Sequence, residues 1–156
     1  MQTTVTQYGA ASFAGMLADT GFTDKLSYTA EAAIGFGVPV QLGTNPARQV
    51  KVLTTSAGQA ALAVGVSIAS QVVEQTSGGV AQYAQYDTVP VLKCGRVWMM
   101  TDDAVTAGAV ANLKLSSGLV TDEAVATGIE EFTQFSARFL TSTSGSALAL
   151  VDIDRK

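Results

Sequence analysis

The fold is decided by stretches such as AVGVSI, residues 63–68, in which large and small side chains alternate. Val64, Val66 and Ile68 occupy every second position, and small residues lie between them. Successive side chains of a β-strand point to opposite faces of a sheet, so this period of two predicts a half-buried strand. Residues 49–52, with the sequence QVKV, alternate in the same way and predict another strand.

Similar runs recur along the whole chain and predict an all-β protein with little helix. Turn-forming sequences separate them, such as GTNP at residues 43–46 and SGG at residues 77–79. This pattern is typical of a compact β-barrel or a jelly-roll-like sandwich. The candidate strands are residues 36–42, 49–52, 63–68, 80–86, 89–94, 96–100, 109–115, 138–143 and 147–153.

An internal echo marks two loops of the predicted fold. The sequence TDDAVTAG at residues 101–108 is followed by TDEAVATG at residues 121–128. Each copy predicts an N-capped turn or short helix, at 102–107 and 122–126, that a glycine closes before the next strand. Two copies are too few for a solenoid, so the echo indicates repeated loop chemistry or chance similarity.

The first 25 residues differ from the rest because they lack alternation. They carry isolated apolar residues in a sequence rich in Thr, Gln, Ala and Gly. We therefore predict an extended N-terminal arm at residues 1–25 that a partner would order, followed by a single β-rich domain at residues 26–156. A frayed terminus or an irregular edge of the domain is the alternative. The candidate partner contacts in the arm are Tyr8, Phe13, Met16, Leu17 and Phe22.

The charge pattern argues against nucleic acid as a partner. The net charge is -4, and the nine basic residues are scattered rather than clustered. Only 14% of residues are charged, which suits a protein whose faces are covered by neighbours in an assembly. The alternative is an ordinary β domain with an alanine-rich composition.

The side chains that most catalytic sites use are missing or isolated in this sequence. There is no histidine, and Cys94 is the only cysteine. We expect Cys94 to be a small core residue. A single cysteine also indicates that the protein is made in a reducing cytoplasm. The acidic pairs at 102–103, 122–123 and 130–131 are typical of solvated turns, and no calcium-loop motif is present. We therefore predict no enzyme activity, no cofactor and no metal site.

Three aromatic residues stand out in the second half of the chain: Tyr83, Tyr86 and Trp98. No Lys or Arg accompanies the two tyrosines, as a platform for single-stranded nucleic acid would require. Core packing or a protein interface is favoured, with Tyr83 and Tyr86 as candidate interface residues. The sequence also contains no secretory-type leader at residues 1–9 and no apolar run long enough to cross a membrane, so no membrane partner is expected.

Several short sequences, in this order, resemble the structural cement proteins of tailed bacteriophages. They include GRVW at 95–98, DAV at 103–105, GAV at 108–110, ARFLTS at 137–142 and ALALV at 147–151, preceded by GMLAD at 15–19 and IGFGVPV at 34–40. The resemblance spans residues 8–153 and leaves 71–88 unmatched. It implies a small β-barrel or jelly-roll domain that binds the outside of an HK97-type capsid and bridges neighbouring capsomers.

The resemblance also implies the setting in which the protein acts. The partner would be the major capsid protein, the location the outer capsid surface of the virion, and the place of synthesis the host cytoplasm. Association of the chain with itself, as a dimer or a trimer, would match the local symmetry axes of a capsid. Two other functions stay open: a phage tail or baseplate β-domain that docks or polymerises, and a small binding or enzyme domain with a pocket.

Overall fold

A computed structural model describes residues 12–18, 21–54, 56–70 and 82–156. These residues form twelve β-strands and one 3-10 turn, at Ala60–Leu62. The all-β fold predicted from the alternation is confirmed. The strands are β1 (Asp24–Ala30), β2 (Ile34–Gly35), β3 (Pro39–Leu42), β4 (Gln49–Val52), β5 (Ala63–Ser67), β6 (Gln82–Tyr83), β7 (Thr88–Met100), β8 (Asn112–Lys114), β9 (Leu119–Thr121), β10 (Ile129–Glu130), β11 (Phe135–Phe139) and β12 (Leu148–Arg155).

Five of the strands close into a barrel. The order is β1-β4-β3-β5-β7, and β1 pairs with β7 to complete the ring. The β1–β4 pair is parallel, and the other pairs are antiparallel. A barrel core fills its interior, formed by Ala30, Ile34, Val40, Val50, Tyr83, Val89 and Val91.

Strand β7 continues beyond the barrel and begins a second layer. Its first half pairs with β1 and β5, and residues 95–100 pair with β12, which in turn pairs with β11. A separate sheet of β10, β8 and β9 belongs to the same half of the molecule. A second core joins these strands to the barrel, with Leu92, Val97, Leu113, Phe139 and Val151 among its buried residues.

Strand β5, which contains the opening sequence, lies between the two cores. Val64 packs against the barrel core, whereas Val66 and Ile68 belong to the second core. The strand prediction is confirmed, but the expectation of a half-buried strand is wrong because both faces are covered. The buried Ser67 hydroxyl donates to Gly35 O at 2.7 Å and accepts from Val38 N–H at 3.1 Å, which removes the cost of burying a polar group.

Of the two alternatives predicted for the echoed sequences, the short helix is wrong and the turn is correct. Residues 102–107 and 122–126 form turns and loops. In the first of these loops, partners outside the loop accept hydrogen bonds from the backbone N–H groups. Val105 N–H donates to the Thr143 hydroxyl and Thr106 N–H to an Asp122 carboxylate oxygen, at 3.1 and 2.8 Å. The closing glycines are correctly predicted, since Gly108 and Gly128 have left-handed φ angles of 89° and 86°.

Candidate interaction surface

The described part of the predicted N-terminal arm, residues 12–18, lies along β7. Gly15 N–H donates to Trp98 O at 2.7 Å, and Trp98 N–H donates to Met16 O at 2.9 Å. Gly15 has a φ of 79°, and a Cβ there would come within 2.8 Å of Gly37 N, so the contact requires glycine. These residues form an irregular edge of the second layer. The division of the chain at residue 25 stays a prediction.

The five candidate contacts of the arm lie in different surroundings. Leu17 packs against the second core, and Met16 is half-buried. Phe13 is exposed, and Phe22 is 85% exposed. Tyr8 lies outside the described residues. Phe13 and Phe22 are therefore available to a partner, whereas Leu17 contributes to the fold.

The two candidate interface tyrosines also differ in their exposure to solvent. Tyr83 is 1% exposed, packs edge-on against Phe36, and donates its hydroxyl to Ile68 O at 2.5 Å. Burial, together with the nearby Asp87 carboxylate, raises the pKa of Tyr83 to about 12. Tyr83 is therefore a core residue, which is the alternative that we gave to an interface residue. Tyr86 is 70% exposed and has a left-handed φ of 73°, a conformation that costs free energy in a non-glycine residue.

Strands β7, β12 and β11 form a continuous sheet surface in the second layer. In residues 96–100 of β7 and along β11 and β12, alternate side chains enter the second core and the others face outward. We call the outward set the outer face. It comprises Arg96, Trp98 and Met100 of β7, Leu148, Leu150 and Asp152 of β12, Ser136 and Arg138 of β11, and Leu140 directly after β11.

An apolar row crosses the outer face. Trp98 stands opposite Leu150, and Met100 stands opposite Leu148. Leu140 extends the row, because its N–H donates to Leu150 O at 2.8 Å and its side chain is 38% exposed. Met100 and Leu140 are exposed, whereas Trp98, Leu148 and Leu150 are half-buried. A tryptophan among partly exposed apolar side chains is characteristic of the centre of a protein–protein interface.

A charged row borders the apolar one. Asp152 stands between Arg96 on β7 and Arg138 on β11. Arg96 Nε lies 3.7 Å from Asp152 Oδ1, and Arg138 Nη1 donates to Gly108 O at 2.9 Å. An apolar centre with a polar border is the usual anatomy of a surface that binds another protein.

A groove of about 460 Å³ lies where the outer face meets the barrel. Phe22, Cys94, Arg96, Asp152 and Asp154 line it. Cys94 is half-buried here and belongs to neither core, so the prediction of a core cysteine is wrong. Partial burial and the Asp154 carboxylate raise the pKa of its thiol, which disfavours the thiolate.

The echoed loops meet around Lys114 of β8. Its ammonium lies 2.5 Å from Asp102 Oδ2, 2.7 Å from Asp103 Oδ2 and 3.5 Å from Glu123 Oε1. The hydrogen bonds from Lys114 lower the pKa of Asp102, and the same bonds raise the pKa of Lys114. The echo therefore supplies both loops with carboxylates for one cation. Among the described residues, no acidic or cysteine cluster is arranged to hold a metal ion, and no helix could cross a membrane.

Sequence reasoning missed the outer face, although the signal was present. The runs 96–100 and 147–153 carry apolar residues at both parities, with Val97 beside Trp98 and Ala149 beside Leu150. A strand that is apolar on both sides needs a second covering surface. In the described part of the chain, the second core covers Val97 and Ala149 on one side of these strands, whereas Trp98 and Leu150 on the other side are half-buried.

The fold and this surface define a class: an all-β barrel protein with an exposed face suited to binding other proteins. The model of the family described as "Structural cement protein (E217 gp24/Pam3 gp6)" matches residues 1–154. The chain therefore belongs to this family of phage structural proteins, and the resemblance drawn from the sequence is confirmed.

A solved structure shows the same fold. A chain in the capsid of Myoviridae phage XM1 superposes with a TM-score of 0.70 and 17% identity, covering 97% of this chain and 96% of that one. A comparison with curated proteins gives no match.

Proposed function

We propose that this protein binds the outer surface of an HK97-type capsid and bridges neighbouring capsomers, without catalytic activity. The observation that carries the proposal is the match of the cement family model to residues 1–154. In this proposal the partner is the major capsid protein. The protein is made in the host cytoplasm and ends on the outside of the virion, and it contacts neither nucleic acid nor membrane.

The outer face is the surface that we assign to the capsid. It combines the apolar row around Trp98 and Leu150 with a charged border, and the exposed Phe22 stands beside it in the groove. Exposed apolar area of this kind gains free energy when a partner removes it from water. Phe13 is also exposed and lies on the segment whose backbone pairs with Trp98.

Bridging depends on repetition across the shell. A copy that contacts two capsomers converts the second contact into an intramolecular one, which raises the overall affinity without a new type of contact. A dimer or trimer of the chain, seated on a matching symmetry axis, gains in the same way. Light scattering of the purified protein distinguishes these states, and a monomer both free and after release from heads contradicts self-association.

Binding to heads that lack the protein tests the proposal directly. Wild-type protein should co-sediment with such heads, and a Leu140→Glu variant should bind at least about tenfold more weakly, because a buried unpaired carboxylate costs more than 1.4 kcal/mol. Leu62→Glu is the matched control, since Leu62 is 51% exposed and lies in the 3-10 turn, which is not part of the outer face.

The outcomes of this experiment distinguish the proposal that the protein binds the capsid from the assignment of the outer face as the contact surface. Failure of the wild type to bind heads contradicts the proposed function. Equal losses for Leu140→Glu and Leu62→Glu contradict the assignment of the outer face. Decorated heads should also withstand a higher temperature than undecorated heads before they release DNA, and equal release temperatures contradict bridging.

A further inference from the structure

Strand β1 has one edge that is only partly paired. It pairs with β7 from Asp24 to Thr29 but with β4 only at Thr29 and Ala30. The preceding residues Lys25, Leu26 and Ser27 are exposed. Among the residues that the structure describes, β1 therefore closes the barrel at one end and leaves an open edge at the other.

The hydrogen bonds around β1 show which backbone groups face this edge. Thr29 N–H donates to Arg48 O of the β4 side at 2.7 Å, whereas Ala30 N–H donates to Asp87 O of the β7 side at 2.9 Å. Backbone groups of a strand alternate in direction, so Lys25 and Ser27 point to the β4 side like Thr29. In the part of the chain that the structure describes, no strand pairs with them there.

A turn explains why β4 leaves these groups unpaired. Arg48 and Gln49 N–H both donate to Asn45 O, at 3.0 and 2.8 Å, and Pro46 lies inside the turn. The chain therefore turns away from β1 one residue before β4 begins. The pairing of β1 with β4 therefore stops at Thr29 and does not reach Lys25 and Ser27.

The charges beside the open edge are basic. Lys25 and Arg48 are exposed on either side of it. Asp24 is already engaged, since its carboxylate lies 3.2 Å from Arg155 Nη2. These cations favour an occupant with acidic side chains. They also oppose edge-to-edge pairing of two copies of this chain, which would bring like charges together.

We propose that an extended segment of the capsid subunit, bearing at least one carboxylate side chain, adds a strand to the β1 edge at Lys25 and Ser27. This inference rests on the proposed function and identifies the form of the partner. Main-chain hydrogen bonds to an exposed edge supply affinity for an extended chain, and the flanking charges select its side chains.

Ser27→Pro tests the edge, with Ser27→Ala as its matched control. Among the described residues, no strand pairs with Ser27 on the β4 side, and proline is tolerated where a strand's N–H faces outward. The circular dichroism spectrum and Tm of Ser27→Pro should therefore stay close to the wild type. Its affinity for undecorated heads should fall about tenfold, because the ring removes one donor and obstructs the incoming strand. Ser27→Ala should bind like the wild type.

Hydrogen exchange keeps the proposal testable even if Ser27→Pro fails to fold. The amides of Lys25 and Ser27 in the wild type should exchange rapidly in the free protein and slowly on heads. Protection in the free protein overturns the proposal, since a segment of the same chain or a second copy then fills the edge. A folded Ser27→Pro variant that binds like the wild type overturns it as well, while leaving the proposed function intact. Absence of any wild-type binding overturns the proposed function instead.

Discussion

At the scale of single residues, Lys114 is the cation on which both echoed loops depend. Its replacement by Met leaves the carboxylates of Asp102, Asp103 and Glu123 facing one another without a counter-ion. We expect a lower Tm for Lys114→Met than for Lys51→Met, the same replacement on the barrel. Equal Tm values for the two variants would show that the loops hold together without the ion cluster.

The pH dependence of this cluster has a definite sign. Because the folded state lowers the pKa of Asp102 from its ordinary value of 3.8, its stabilisation is complete above pH 3.8 and is lost as pH falls through the folded value. The raised pKa of Lys114 keeps the cation charged past its ordinary value of 10.5. The stability difference between wild type and Lys114→Met in urea should therefore shrink well below pH 3.8. A difference that is unchanged there contradicts this account.

Glu130 links β10 to the loop before the 3-10 turn. Its two carboxylate oxygens accept from Gly58 N–H at 2.5 Å and Ala60 N–H at 3.0 Å. Glu130→Gln replaces one acceptor with an amide donor, and we expect a loss of about 1 kcal/mol, or roughly 3 °C in Tm. Glu131→Gln is the neighbouring control and should have little effect, because it breaks only an exposed pair with Lys156.

At the scale of elements, β5 approaches β7 so closely that one position must be glycine. A Cβ on Gly65 would overlap the Leu92 carbonyl oxygen and meet Val91 Cγ1 at 2.7 Å. Gly65→Ala should therefore destabilise the protein by about 1–3 kcal/mol, measured by denaturant unfolding. Gly145→Ala, where no atom lies within 4 Å of the added Cβ, should be close to neutral.

Some strands were predicted from the sequence with their bounds, and others were missed or shifted. Strand β4 matches residues 49–52, and the runs 89–94 and 96–100 form one strand, β7, that continues through Gly95. Strand β1 was missed although its sequence alternates, with apolar Leu26, Tyr28 and Ala30 between polar Lys25, Ser27 and Thr29. Strand β11 begins earlier than the predicted run 138–143, since Phe135 is buried by packing on Phe132.

The candidate site was predicted less well than the fold, because the register between paired strands determines which side chains are neighbours in the site. Trp98 and Leu150 are far apart in sequence, and only the β7–β12 register makes them neighbours. Likewise, nothing local in the sequence separates the buried Tyr83 from the exposed Tyr86, which lie three positions apart. Phe22, in contrast, was identified from the sequence as an isolated apolar residue and is exposed.

At the scale of the whole molecule, the two cores should unfold together because β7 belongs to both. Phe139→Ala empties part of the second core and should cost about 3–5 kcal/mol. The barrel should lose stability to the same extent, so the fluorescence of Trp98 and the near-ultraviolet signal of the buried Tyr83 should change at the same denaturant concentration. Two separate transitions would show that barrel and second layer are independent units. Phe13→Ala, at an exposed site, is the control.

The continuity of β7 also gives the protein a mechanical property. Its first half is held laterally by β1 and β5, and its second half by β12 and residues 15–18. Tension applied at Trp98 reaches the barrel along a covalent backbone instead of across a packing contact. Because the lateral hydrogen bonds run perpendicular to the strand, a pull along its axis shears them all at once, whereas a sideways pull would peel them singly. In the proposed function, a capsid under internal pressure that pulled along β7 would load this strand in its stronger direction.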